Sequence, residues 1–118
     1  MKWQGLISFY GTDDLDKTTE FYEGTLGLKM IKDQGKCRIF SVPGGGALGF
    51  CVHMSITTDN KSPIITLLSN DVDGTYHKLI EKGYAVPHEP TLNKEFNIYH
   101  FFTRDPSGYC VEIQKFLD

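Results

Sequence analysis

The 118-residue chain lacks a CxxC pair, a run of basic residues and any apolar stretch near the ~20 residues of a membrane-spanning helix. Each absence removes a class of function. Cysteines at positions 37, 51 and 110 are an odd number at spacings that exclude a zinc ribbon. They read as small buried hydrophobes on strands, reduced in their compartment, and a catalytic cysteine would need a neighbouring base. Twelve basic against fifteen acidic residues leave a net charge of −3, so neither nucleic acid nor an acidic membrane surface is an expected partner. The N-terminal residues do not form the apolar core of a signal peptide, so a cytoplasmic location is expected.

What is present is ordinary globular composition, 40% hydrophobic and 23% charged, which suits one compact domain with its own core. The pattern predicts a strand over Leu6–Tyr10. Gly11-Thr12-Asp13-Asp14 then supplies turn and cap chemistry for a helix from about Leu15 to Leu26, which Gly27 stops. Strands follow at Leu28–Lys32, Cys37–Val42 and Ala47–His53, with a polar loop over 55–62. The second half repeats the order: strand Pro63–Ser69, cap Asn70-Asp71 and helix Val72–Lys82 with a buried stripe of Val72, Tyr76, Leu79 and Ile80. A short strand Tyr84–Val86, a long loop Pro87–Lys94, and strands Asn97–Thr103 and Tyr109–Lys115 complete it.

The halves echo each other locally. Asp14-Leu15-Asp16 and Asp71-Val72-Asp73 open the two helices, and Gly27 and Gly83 end them. The expected fold is therefore α+β: a single domain of two βαβββ modules in tandem, about 1–54 and 63–118. The two small sheets would curl into a mixed sheet and partly closed barrel, with helices on the convex side and a concave cleft opposite.

The most informative stretch is Arg104-Asp105-Pro106-Ser107-Gly108-Tyr109-Cys110-Val111-Glu112-Ile113, a tight turn running into a strand. Alternation places Cys110, Glu112 and Gln114 on one face and Val111 and Ile113 on the other, which should pack on a helix. Glu112 either faces water or belongs to a functional site. His100 shares a face with Phe102, and His53 ends the fourth strand; both are either ordinary strand histidines or converge on Glu112. His77 and His88 read as solvated. Phe9, Phe40, Phe50 and Phe102 are either core or an aromatic lining that suits a flat, hydrophobic ligand.

Three segments carry a resemblance. Residues 14–28, with Phe21-Tyr22 and Leu26-Gly27-Leu28, residues 71–83, and Asp105-Pro106-Ser107-Gly108 through Glu112 resemble the vicinal oxygen chelate superfamily. That group includes glyoxalase I, bleomycin-resistance proteins, fosfomycin-resistance thiol transferases and extradiol dioxygenases, and hosts many chemistries on one fold. The resemblance implies a divalent metal held by cleft-facing strand residues and acting as a Lewis acid. Carried over residue by residue, it retains Glu112 as metal ligand and catalytic residue. It puts Ile7 (or Leu6 or Ser8), Ile64, and Gly49 or Phe50 at the other ligand positions.

One ligand of three or four does not hold a catalytic zinc, nickel or manganese. The leading expectation is a protein that binds a small hydrophobic or aromatic molecule without a cofactor, using Phe9, Phe40, Phe50, His53, His100, Phe102 and Cys110. The alternative is a metal-dependent lyase, isomerase or thiol transferase of the glyoxalase I or fosfomycin-resistance type using Glu112 with zinc, nickel or manganese. A third possibility is a structural or regulatory domain. By resemblance, the chain is expected to pair as a homodimer.

Overall fold

The computed structural model describes residues 1–58 and 62–118; part of the expected 55–62 loop lies outside them. The chain divides into two compact units, Met1–Thr57 and Thr58–Asp118, each with one four-stranded mixed sheet.

The first unit contains β1 (Ile7–Gly11), α1 (Leu15–Thr19) continued by a π-helical segment (Glu20–Thr25), β2 (Lys29–Asp33), β3 (Cys37–Ser41) and β4 (Ala47–Cys51). Its sheet runs β1-β4-β3-β2, with β1 parallel to β4 and the other pairs antiparallel. Asp14 caps α1 by accepting from the Lys17 N–H at 3.0 Å. Phe21 and Tyr22 then bury completely against the sheet, where Tyr22 stacks on Phe50 at 4.6 Å and Phe50 on Tyr10 at 5.6 Å. Arg38 fastens the same helix from β3, donating to the Leu15 carbonyl (3.3 Å), Asp16 (3.1 Å) and Thr19 (2.9 Å).

This core corrects two expectations. Phe40 and Phe50 are fully buried on the helix side. They therefore do not line the opposite face with Phe9. The period of two explains it: Phe9 pairs with Gly49, so Phe50, one residue on, points the other way.

The second unit contains β5 (Ile64–Leu68), α2 (Val72–Glu81), β6 (Thr91–Asn93), β7 (Ile98–Arg104) and β8 (Cys110–Phe116), in the order β5-β8-β7-β6. β5 runs parallel to β8. Asp71 caps α2 through the Gly74 N–H at 2.9 Å. Leu79 and Val72 bury, and Tyr76 meets Phe101 edge-on at 5.6 Å. Ile80, expected in the stripe, is exposed, because it lies about 100° round the helix from Leu79. Tyr84–Val86 forms no strand. Thr91–Asn93, within the expected loop, pairs with β7 instead, and three residues are too few for alternation to reveal.

Two βαβββ units in tandem, each with its own mixed sheet, make up the fold. The turn into β8 is built by Asp105, whose buried carboxylate accepts from the N–H groups of Ser107 and Tyr109, both at 2.9 Å. Gly108 adopts φ +99°, where an L side chain would be strained. No helix among the described residues is long and apolar enough to cross a membrane.

Candidate functional site

The turn sets the register of β8, and the register assembles the site. Glu112 sits opposite Thr66 on β5 and Phe102 on β7, while Gln114 sits opposite His100. All five share the sheet face away from α2, whose side is filled by Val111, Ile113 and Phe101.

Glu112 is only 7% exposed, and its partners account for its burial. Thr66 Oγ1 donates to Oε1 at 2.8 Å, and His100 Nδ1 lies 2.7 Å from Oε2. Burial alone would raise the Glu112 pKa, but hydrogen bonds from Thr66, Gln114 and His100, with the charge of the imidazole, outweigh it and hold the carboxyl below its ordinary value. The group is thus a carboxylate at neutral pH. With Nδ1–H directed to that carboxylate, Nε2 is the ring nitrogen left for another partner, an acceptor when the ring is neutral. Phe102 packs edge-on to the imidazole at 5.2 Å. Beyond Gln114, Leu68 and Phe116 flank an open cavity of about 270 Å³ that also touches Ser69, Asn70 and Lys115.

The expected residues fall into three groups. Glu112, His100 and Phe102 come together on one face, and Cys110 lies buried one rung along it. Phe40 and Phe50 are core. His53 belongs to the first unit, where Nδ1 lies 4.0 Å from the sulfur of Cys37. Cys37 and Cys51 are joined by a disulfide, which corrects the reading of all three cysteines as free thiols. Fourteen residues of separation carry no pairing signal; the direct opposition of the two positions on β3 and β4 creates the bond. Thr66 and Gln114 were missed as site residues, although Gln114 shares the parity of Glu112. The partnership of Thr66 depends on parallel pairing between segments 46 residues apart.

The metal that the resemblance implies does not fit these residues. Both oxygens of Glu112 are engaged by Thr66 and His100, and among the described residues its partners across β5 and β7 are Thr66 and Phe102, neither a carboxylate. In the first unit the register position matching Glu112 is Gly49. The ring of Phe9 lies across it, so that a Cβ there would come within 2.5 Å of two ring carbons. The ligand positions Ile7 and Ile64 are apolar and partly exposed. The space in which the repeated strand would project a second ligand is filled by an aromatic ring.

Comparison with known proteins supplies the family context. The family model described as "Glyoxalase/Bleomycin resistance protein/Dioxygenase superfamily" matches residues 7–113. Among solved structures, lactoylglutathione lyase from Agrobacterium tumefaciens is 20% identical with a TM-score of 0.77, the alignment covering 98% of this chain and 95% of that one. A glyoxalase/dioxygenase from Nostoc punctiforme is 18% identical with a TM-score of 0.77, covering 98% and 92%. An integron cassette protein from the mobile metagenome of the Halifax Harbour sewage outfall is 17% identical with a TM-score of 0.78, covering 95% and 97%. At these identities the likeness is one of fold. No curated protein matches the chain in sequence.

Proposed function

The chain belongs to the glyoxalase/bleomycin resistance protein/dioxygenase superfamily, and from that premise we propose that it binds a small, flat, largely apolar molecule carrying a hydrogen-bond donor. The carrying observation is the Thr66–Glu112–His100 chain, a carboxylate whose oxygens are both occupied and which orients an imidazole. A carboxylate used in this way positions a neighbour, and is poorly placed to chelate. The Nε2 atom accepts from the ligand's hydroxyl or N–H, while Phe102 and the apolar flank of Leu68 and Phe116 offer surface to its faces. The metal-dependent lyase, isomerase or thiol transferase reading has no comparable support, because its donor set is missing from the matching strand positions.

Thermal denaturation with a matched pair of probes tests the proposal. 1-Naphthol supplies ring and donor; 1-methoxynaphthalene supplies the ring without the donor. The expected result is a rise in Tm with 1-naphthol and a smaller rise with the ether. His100→Ala should abolish the difference between them. Equal stabilisation by both, or none by either, would refute the hydrogen-bonded mode of binding.

A further inference from the structure

We propose that Cys37, Cys51 and His53 form a second, redox-gated site that binds Zn²⁺ when the cysteine pair is reduced. The site lies within the first unit and shares no residue with the Glu112 face.

Backbone pairing creates it. Cys37 and Cys51 are directly opposite on antiparallel β3 and β4, with Cα atoms 4.1 Å apart, so both sulfurs leave the same face of the ladder. The ladder closes beyond them with a bond from the Val52 N–H to the Lys36 carbonyl at 2.9 Å. The turn after β4 then brings His53 back over the pair. The two sulfurs and one imidazole nitrogen all lie within 4.8 Å of one another. Among the described residues this is the one group of three His, Cys, Asp or Glu side chains whose donor atoms converge so closely. Both cysteines are buried and His53 is exposed, so the sulfurs are shielded while the imidazole side opens to solvent.

The donor chemistry selects the ion. Two thiolates and an imidazole are borderline-soft ligands suited to Zn²⁺, and three protein donors leave a fourth position for water or another ligand. Tetrahedral Zn²⁺ at about 2.3 Å from sulfur and 2.0–2.1 Å from nitrogen requires donors roughly 3.5–3.8 Å apart. Once the sulfurs are unbonded, side-chain rotation on the fixed ladder supplies that spacing. A disulfide with a purely structural role has no use for the imidazole; a metal site does. The duplication adds weight, because the rung occupied by Cys37 and Cys51 corresponds to that of His100 and Gln114 in the second unit. Each unit thus sets polar or ligating side chains at the same place on its ladder.

The two states interconvert with balanced chemistry. A dithiol reductant delivers two electrons and two protons to the Sγ–Sγ bond, and leaves as its own disulfide. Zn²⁺ then displaces both thiol protons as the thiolates bind.

The test uses the full chain, reduced with a dithiol, freed of reductant under argon and titrated with Co²⁺ as a spectroscopic stand-in. The expected result is thiolate-to-cobalt charge-transfer absorption with the visible bands of four-coordinate cobalt, both bleached by one equivalent of Zn²⁺. Disulfide-intact protein should show neither, and Glu112→Gln should titrate like the reduced wild type. Cys51→Ser should lose the charge-transfer band. Because that change alters a buried position, His53→Gln, at an exposed one, provides an independent variant. It should weaken Co²⁺ binding by about tenfold or more, since loss of even an outer-shell partner of a metal ligand costs that much. The proposal is overturned if the reduced wild type shows no charge transfer, if Cys51→Ser retains it, or if His53→Gln binds like wild type.

Discussion

Replacing Glu112 by Gln tests whether a buried carboxylate stabilises this fold or burdens it. Gln keeps the size of the side chain and removes its charge, so it imitates the protonated acid. Burial opposes the charged form and should make the variant more stable. The hydrogen bonds from Thr66 at 2.8 Å and His100 at 2.7 Å, with that of Gln114, favour the charged form. A bond to a charged group contributes about 1.5–3 kcal/mol and one between neutral groups about 0.5–1.5 kcal/mol, so weakening the bonds from Thr66 and His100 alone costs roughly 2 kcal/mol before relief of burial is subtracted. The direction of the pKa decides the sign of the remainder. Glu112 is held below its ordinary value of 4.5, which means that folding favours the carboxylate over the acid. Glu112→Gln should therefore destabilise the protein at pH 7, by about 1 kcal/mol.

The same linkage fixes the pH dependence. The contribution is fully present above the unfolded-state pKa and is lost as pH falls through the depressed folded-state pKa. The gap between wild type and variant should thus shrink as pH falls below about 4.3. Urea unfolding followed by far-ultraviolet circular dichroism at several pH values, with the cysteines held in one redox state, measures it. A variant as stable as wild type at pH 7, or a gap that does not shrink below about pH 4.3, would refute the reasoning.

Asp105→Ala removes the acceptor for two backbone N–H groups in the turn before β8, that of Tyr109 buried and that of Ser107 partly buried, and should cost about 2–4 kcal/mol, measured by thermal or urea denaturation. Because that turn sets the register of β8, the variant should also lose the 1-naphthol stabilisation expected of the Glu112 face. Gly49→Ala should destabilise by about 1–3 kcal/mol through overpacking against Phe9. In the Phe9→Ala background the same substitution should cost much less, and a double-mutant cycle with additive effects would show that the ring does not occupy that space.

The helix starts, the tandem repeat and the turn before β8 were legible because each rests on local chemistry. Asp14 and Asp71 each cap a helix through an N–H three residues on. Asp105, Pro106 and Gly108 specify a turn among themselves. The facing of Glu112 was equally accessible, since alternation along one strand needs no knowledge of its neighbours. The aromatic residues were not. Phe9 and Phe50 belong to different strands, and whether they share a face depends on the partner each meets across the sheet. A list of phenylalanines carries no such information.

Sequence alone determined the doubled βαβββ order, the caps and turns that punctuate it, and the presence of a carboxylate in an apolar strand. Tertiary structure decided which groups that carboxylate bonds to. Thr66 and His100 reach it from strands 46 and 12 residues away, and turn a lone acid into a hydrogen-bonded chain. Tertiary structure likewise joined Cys37 to Cys51 and set His53 beside them. Capping and turn formation act over a few residues along the chain, whereas a site forms among side chains that only strand pairing brings within bonding distance.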